Sequence, residues 1–417
     1  MNRVLKNIFQ FIFVFLLLLD SISVGANNFI IKPDAGKKSI STAVKNASSG
    51  DTIWIKNGIY KEGNICVNKP LTLIGIGLPT LDGENKVEVL SVKSNRVNII
   101  GLKIINSGYS DLEDYAGIRI YGNSYVRIQN NVLENNFFGV YLTNASYCLV
   151  KNNSITGPER EQNNVGNGIH LWKSAHNNII GNVVKKHRDG IYFEFVKHGI
   201  IANNLSEENL RYGLHFMFSD SDCYYNNTFI NNGAGVAVMY SRNVMMVKNN
   251  FIRNWGSSAY GLLLKEIRDS KVYGNHYEKN SIGIYMDGCS RTDFLKNNFS
   301  NNGYALKMQA SCDDNNFRFN NFKVNTFDYV TNGFTILNTL QYNYWDKYNG
   351  FDLHRDGIGD QPFRPMNMLS GIIEEYPATV ILIKSMMADL LDILEKIIPS
   401  LTPENLMDES PLIKPVA

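Results

Sequence analysis

The chain has 417 residues, with 41 Lys and Arg against 39 Asp and Glu, a net charge of +2 and 44% apolar residues. So even a charge balance gives no basis for nucleic-acid binding, and the length admits two domains. An internal repeat makes one elongated body the better reading.

Taken in order, residues 1–26 carry Arg3 and Lys6, then an apolar run from Ile8 to Leu19, and end in Val24-Gly25-Ala26. That is the pattern of a secretory signal peptide cleaved after Ala26, with a retained anchor as the alternative. No later segment is an uncharged span of about 20 apolar residues, so the exported part is expected to be soluble. The five cysteines, Cys66, Cys148, Cys223, Cys289 and Cys312, are scattered and form no CxxC pair. Cys289 and Cys312 fall one repeat apart, a spacing that admits a disulfide; small buried hydrophobes are the other reading.

Ser39 to Ala47 places Ile40, Ala43, Val44 and Ala47 on one helical face, with Ser39 as the expected N-cap. Such a helix would cover the open first coil of a solenoid. From Gly117 to Met308 the chain repeats, with units opening at Gly117, Gly139, Gly168, Gly190, Gly213, Gly235, Gly261, Gly283 and Ala305. The spacings are 22, 29, 22, 23, 22, 26, 22 and 22. Fourteen residues after each glycine stands an asparagine: Asn131, Asn153, Asn182, Asn204, Asn227, Asn249, Asn275 and Asn297. A later position carries Phe229, Phe251, Tyr277 and Phe299. Short periods of β-branched and aromatic residues without helical spacing predict an all-β fold, a right-handed parallel β-helix. Each asparagine and aromatic position would then stack into an inward column that satisfies buried polar groups and fills the core.

Residues one and three after each glycine are apolar and point inward, so those at two and four point outward. The second position reads Arg119, Tyr141, His170, Tyr192, His215, Ala237, Leu263, Tyr285, Lys307; the fourth reads Tyr121, Thr143, Trp172, Glu194, Met217, Met239, Lys265, Asp287, Gln309. Insertions Ser107–Ala116, Gly157–Asn167 and Trp255–Tyr260 all enter one corner beside this strand, as the wall of a binding face would. His215, Met217 and Met239 are therefore neighbours, with His170 and Glu194 as further candidates. Thioether and imidazole together suit Cu(I) better than Mg²⁺ or Ca²⁺. A methionine contact patch for a protein, or methionines packed under a loop, are the competing readings. A polysaccharide-binding or lyase/epimerase β-helix is the competing class, with Trp172, Tyr192 and Tyr285 as stacking groups. Its hydrolytic form lacks a carboxylate pair, because Glu194 and Asp287 lie four coils apart, about 19 Å.

Beyond the repeat, Asp352, Asp356 and Asp360 approximate a calcium loop, with His354 where an oxygen ligand is expected; a turn without metal is the alternative. Pro377 to Ile398 reads as an amphipathic helix in which Ile383, Met387, Leu390, Leu391 and Leu394 belong to the apolar stripe. Pro399 ends it and an extended arm follows. The helix would cap the far end of the solenoid or dock on a partner, including a membrane-bound one. The expected organisation is thus a signal peptide (1–26), the β-helix (27–342), the loop region (343–366) and a C-terminal helix with arm (367–417).

The segments Asn343-Tyr344-Trp345, Asp356-Gly357-Ile358-Gly359-Asp360 and Pro362-Phe363-Arg364-Pro365 recur in one known family, as does the tail from Lys384 to Pro415. With Gly213-Leu214-His215-Phe216-Met217-Phe218-Ser219 and Val238-Met239-Tyr240-Ser241, this pattern resembles the NosD family, periplasmic maturation proteins of nitrous-oxide reductase in denitrification. The resemblance covers nearly the whole exported chain. It implies a protein that is not an enzyme and receives and passes on copper for the reductase's copper–sulfur site. It implies as partners an ABC-transporter permease and ATPase, a copper-carrying lipoprotein and the reductase itself. It also implies attachment to the inner membrane through those partners. A docking clamp that binds no metal is the third reading. His354 departs from the acidic residue usual in the family's loop, which weakens the calcium reading.

Overall fold

The structure, a computed structural model, describes residues 27–33, 39–110, 112–158, 165–333, 337–383, 385–397 and 406–416. The signal-peptide expectation for residues 1–26 lies outside them. The chain winds into a right-handed parallel β-helix of about 13 turns. Its three parallel sheets hold 14, 13 and 12 strands, each strand pairing with its counterpart one coil away. The repeat-opening strands form the third, 12-stranded sheet. Their register joins Arg119, Tyr141, His170, Tyr192, His215, Ala237, Leu263, Tyr285 and Lys307 in one row, as the repeat predicts.

Two internal ladders hold the coils in register. From Asn131 to Asn343, each ladder asparagine donates through Nδ2 to Oδ1 of the next at 2.9–3.0 Å. Each also takes up backbone N–H and C=O groups at the turn, for instance the Asn227 N–H and the Tyr224 carbonyl on Asn249. Groups that would be buried and unpaired are thereby satisfied. A second ladder, absent from the expectations, runs through Asn209, Asn232, Asn254, Asn280 and Asn302, nineteen residues after their glycines, and Asn325, twenty after Ala305. The aromatic column forms as expected, with ring centroids 5.5, 4.6 and 4.8 Å apart, and runs on through Phe322 to Trp345. The repeat glycines answer to crowding at the start of the third sheet. A Cβ on Gly190 would stand 2.1 Å from Ser206 Oγ and 2.6 Å from the Gly213 carbonyl.

At the N-terminal end, helix α1 (Ser39–Asn46) buries Ile40, Ala43 and Val44. Its first-turn amides are taken by Glu62 of the first coil, which accepts from Ile40 and Ser41 N–H at 2.8 Å, so a carboxylate does the capping expected of Ser39. An anion complements the positive end of the helix dipole. At the other end, the arm of residues 406–416 closes the solenoid. It pairs in parallel at Leu340↔Asp408 and Tyr344↔Leu412. Asp408 ends the asparagine ladder by accepting from Asn343 Nδ2 and Trp345 Nε1.

The tail helix differs from its expectation. In place of one helix from Pro377 there is α2 (Met368–Glu375), a 3₁₀ turn (Pro377–Leu382) and α3 (Met386–Ile397). The break falls at Ile383, whose extended backbone turns Leu382 and Ile383 onto the cluster formed by Phe327, Val330, Leu369, Ile373 and Ala388. The helices therefore lie on the outward side of the third sheet, where Glu374 meets Lys307 at 2.7 Å. Their apolar contacts are with Phe327 and Val330 on the strand that ends this sheet.

Candidate functional site

Lys307 is four register steps from His215, about 19 Å at the inter-strand spacing, so the tail helices and the predicted metal residues share one face. On that face the structure corrects one expectation. Outward does not mean open: His215 is 5% exposed and His170 8%. The cover comes from neighbouring outward rings. Tyr192 and Tyr212 lie 4.7 and 4.9 Å from His215, and Phe138, Tyr141 and Tyr192 lie 5.3, 4.4 and 4.8 Å from His170.

Beneath His215 is a carboxylate that the sequence reading passed over. Asp189, fully buried, takes two bonds from Arg211, Nε to Oδ1 at 2.8 Å and Nη2 to Oδ2 at 2.5 Å. It also lies 3.2 Å from His215 Nδ1. Burial alone would push the Asp189 carboxyl up, but the Arg211 and His215 hydrogen bonds and charges outweigh it and hold it at about 2. An ionised carboxylate can only accept, so Asp189 favours the proton on His215 Nδ1, against the Arg211 Nη2 donor 3.3 Å from the same nitrogen; in the neutral imidazole that tautomer leaves the lone pair on Nε2. That Nε2 is buried and has no partner. Fixing the tautomer of a histidine through a carboxylate on its other nitrogen is how proteins orient metal-binding imidazoles. The signal was in the sequence. Position 189 precedes a repeat glycine, where other units have Ala116, Phe138, Asn167, Tyr212, Ala234, Tyr260, Ile282 and Tyr304.

Met217 and Met239 are register partners and both half-buried, next to Glu194 in the same row. His170 is not brought to them. Tyr192 stands between the two imidazoles, and Asn167 Nδ2 donates to His170 Nδ1 at 3.3 Å, which puts the His170 proton on Nε2 and makes it a donor there. Burial, with Arg188 nearby, drives its pKa down to about 3, so it is neutral. Among the described residues no three His, Cys, Asp or Glu side chains are arranged to hold a metal ion, so a soft-metal site here must draw on methionine sulfur.

Beside the methionines runs an exposed aromatic ledge. Phe195, Phe218 and Tyr240 stack at 5.3 and 5.1 Å and are 44%, 42% and 41% exposed. All three sit at φ of 52–54°, the left-handed region that costs a bulky residue energy. Other coils put Gly122, Asn144, Lys173, Glu266 or Gly288 at that turn. The rings pack on one another, as Tyr125 does on Tyr147 and Phe319 on Tyr342 at other left-handed turns. On α3 the expected docking residues divide. Leu391, like Ile383 before the helix, packs on the inner cluster; Met387, Leu390 and Leu394 are exposed, joined by Met386, Ile393 and Ile397.

The aspartates of the expected calcium loop serve the turn itself. Asp352 accepts from Asp356 and Gly357 N–H, Asp356 from Ile358 N–H, and Asp360 from Leu353 N–H and from His354 Nδ1 at 2.5 Å. The bond and charge of Asp360 raise the His354 pKa, while the Leu353 amide and His354 lower that of Asp360. The imidazole's contribution is therefore complete below about pH 6.5 and is lost as pH rises through its raised value. The carboxylate's contribution is complete above about pH 4 and is lost as pH falls through its depressed value. Hydrogen exchange at Leu353 and Gly357, corrected for intrinsic rates, should show more protection at pH 5.5 than at pH 8.5, and the difference should vanish in His354→Ala.

Residues 152–350 match the model of the family described as periplasmic copper-binding protein (NosD), and residues 21–184 match that of the right handed beta helix region. A probable ABC transporter binding protein NosD of Pseudomonas aeruginosa is 28% identical over 389 residues, 88% of this chain and 89% of that protein. Its namesake in Stutzerimonas stutzeri is 25% identical over 391 residues, 88% and 87% of the two chains. Among solved structures, a family 28 exopolygalacturonase of Yersinia enterocolitica superposes with a TM-score of 0.60 at 11% identity, over 76% of this chain and 79% of its own. The Dettilon tailspike protein does so at 0.56 and 12%, over 70% and 66%. At such identities these two show the coil alone. Motifs, coil and full-length relatives agree, and the chain is similar to the NosD proteins over most of its length.

Proposed function

We propose that this chain is a periplasmic, non-enzymatic accessory protein of an ABC transporter. In this reading it receives copper and passes it on during assembly of the copper–sulfur site of nitrous-oxide reductase. The observation that carries the reading is the unpartnered Nε2 of His215, oriented by buried Asp189, on the same strand as Met217 and one coil from Met239. Imidazole and thioether are ligands for Cu(I). Met217 and Met239 are more exposed than His215, so copper would meet them first. The family description as copper-binding, and the relatives' name as transporter binding proteins, support the same role.

Two surfaces serve partners in this reading. The ledge of Phe195, Phe218 and Tyr240 flanks the copper residues and would seat the protein that delivers or takes copper, a lipoprotein or the reductase. The exposed stripe of α3, centred on Leu390 and Ile393, would seat the permease, with the ATPase acting from the far side of the membrane. The test is replacement of the chromosomal copy by His215→Ala or by Leu390→Asp/Ile393→Asp, with copper measured in purified nitrous-oxide reductase. Both variants are expected to yield reductase at least 10-fold poorer in copper–sulfur centre while the accessory protein itself accumulates normally. Full metallation in both would refute the role.

A further inference from the structure

We propose that Cys289 and Cys312 form a disulfide that links two successive coils near the C-terminal end. Their neighbours Ser290 and Asp313 pair as a parallel bridge, so the two cysteines stand at equivalent places one coil apart. The inter-strand spacing of about 4.8 Å lies within the Cα separation that a disulfide spans, about 4.4–6.8 Å. The Cys289 N–H already points at Cys312 Sγ, 3.4 Å away, and both side chains are buried. The Cys289 thiol donates to the Leu264 and Asp287 carbonyls at 3.4 Å; burial first, then the nearby Cys312 thiol, raises the Cys289 pKa, while the Cys289 thiol lowers that of Cys312.

The other three cysteines have no such neighbour. Cys66 pairs across the sheet with Ser91, and Cys223 with Ile200 and Met245. Cys148 is buried, with its thiol turned to the Ser146 and Asn123 carbonyls. An odd cysteine count therefore resolves into one pair and three free thiols.

The oxidant is a dithiol–disulfide compound or enzyme. The Cys312 thiolate attacks one sulfur of its disulfide and expels the first oxidant thiolate. Cys289, after losing its proton to water, attacks Cys312 Sγ and expels the second. One disulfide is reduced to two thiols as one is formed. Because both sulfurs are buried, the exchange takes place before the last coils close, or during their local opening. The closed loop contains Lys307, on which Glu374 of α2 rests, so the bond fastens the coil that carries the tail helices.

The full chain, purified after export or treated with glutathione disulfide during refolding, is denatured in N-ethylmaleimide without reductant and weighed. Three adducts are expected, and five after prior reduction. In a Cys66→Ser/Cys148→Ser/Cys223→Ser variant the expectation is none, with a cross-linked peptide joining Cys289 to Cys312. The oxidised protein should also melt about 3–6 °C above Cys289→Ser/Cys312→Ser. Five adducts in the native sequence, two in the triple variant, or a cross-link between any other pair would overturn the proposal. Glutathione disulfide acts wherever the protein resides, so this result does not depend on the copper reading.

Discussion

Asn249→Ala is expected to lower the free energy of unfolding by about 4 kcal/mol, read as a shift of the urea midpoint. Asn249 sits in the middle of the first ladder. Its Oδ1 accepts from both the backbone N–H and the side-chain Nδ2 of Asn227 at 3.0 Å. Its Nδ2 donates to the Tyr224 carbonyl and to Asn275 Oδ1, each at 3.0 Å. All four partners are buried, and water has no path to replace the lost amide. Each orphaned group costs about 1–3 kcal/mol, reduced here because Asn227 Nδ2 keeps its bond to the Ile201 carbonyl. An exposed asparagine outside the left-handed region, such as Asn57, substituted to alanine serves as the control and should shift the midpoint little. Equal effects at the two positions would deny the ladder its structural role.

Asp189→Ala should cost about 3–5 kcal/mol, because it leaves the Arg211 guanidinium without its counter-charge and the His215 Nδ1 without its acceptor. The pH dependence has a definite sign. The Asp189 carboxyl is held down at about 2, so its contribution is fully present above the ordinary carboxyl value near pH 4 and is lost as pH falls through about 2. The difference in stability between the native chain and Asp189→Ala should therefore be steady from pH 5 to 7 and shrink toward pH 2. Asp189→Asn separates packing from electrostatics. It keeps the shape, but its amide no longer compels a proton on His215 Nδ1, and Cu(I) affinity should fall about 10- to 100-fold. Unchanged affinity in Asp189→Asn would mean that His215 is not held for a metal.

The parts of the fold that were legible in the sequence are those that recur. A glycine, an asparagine and an aromatic at fixed offsets, coil after coil, specify both stacking and direction, and the register rows follow from them residue by residue. The second asparagine ladder was as legible as the first. Its row is interrupted by His187, beside the insertion that starts at Gly157.

What alternation could not convey is the cover over an outward residue. It says that His215 leaves the core, but not that Tyr192 and Tyr212 close over it. Those contacts depend on rotamers of side chains from neighbouring coils. Asp189 is legible only when the units are aligned: its meaning lies in its contrast with eight uncharged residues in the same row, not in any local motif. The tail was misread because periodicity sees an apolar stripe and not the extended backbone at Ile383 that divides it. The role of Asp408 as the last rung of a ladder that begins some 280 residues earlier has no local signature at all.

The most direct test of the copper reading is an anaerobic Cu(I) competition titration of the exported protein, run beside His215→Ala and Met217→Ala/Met239→Ala. One tight equivalent, lost in both variants while the circular dichroism of the coil is unchanged, is the predicted result. Absence of tight binding, or binding indifferent to these substitutions, would contradict the site and leave a metal-free docking clamp as the function of this face.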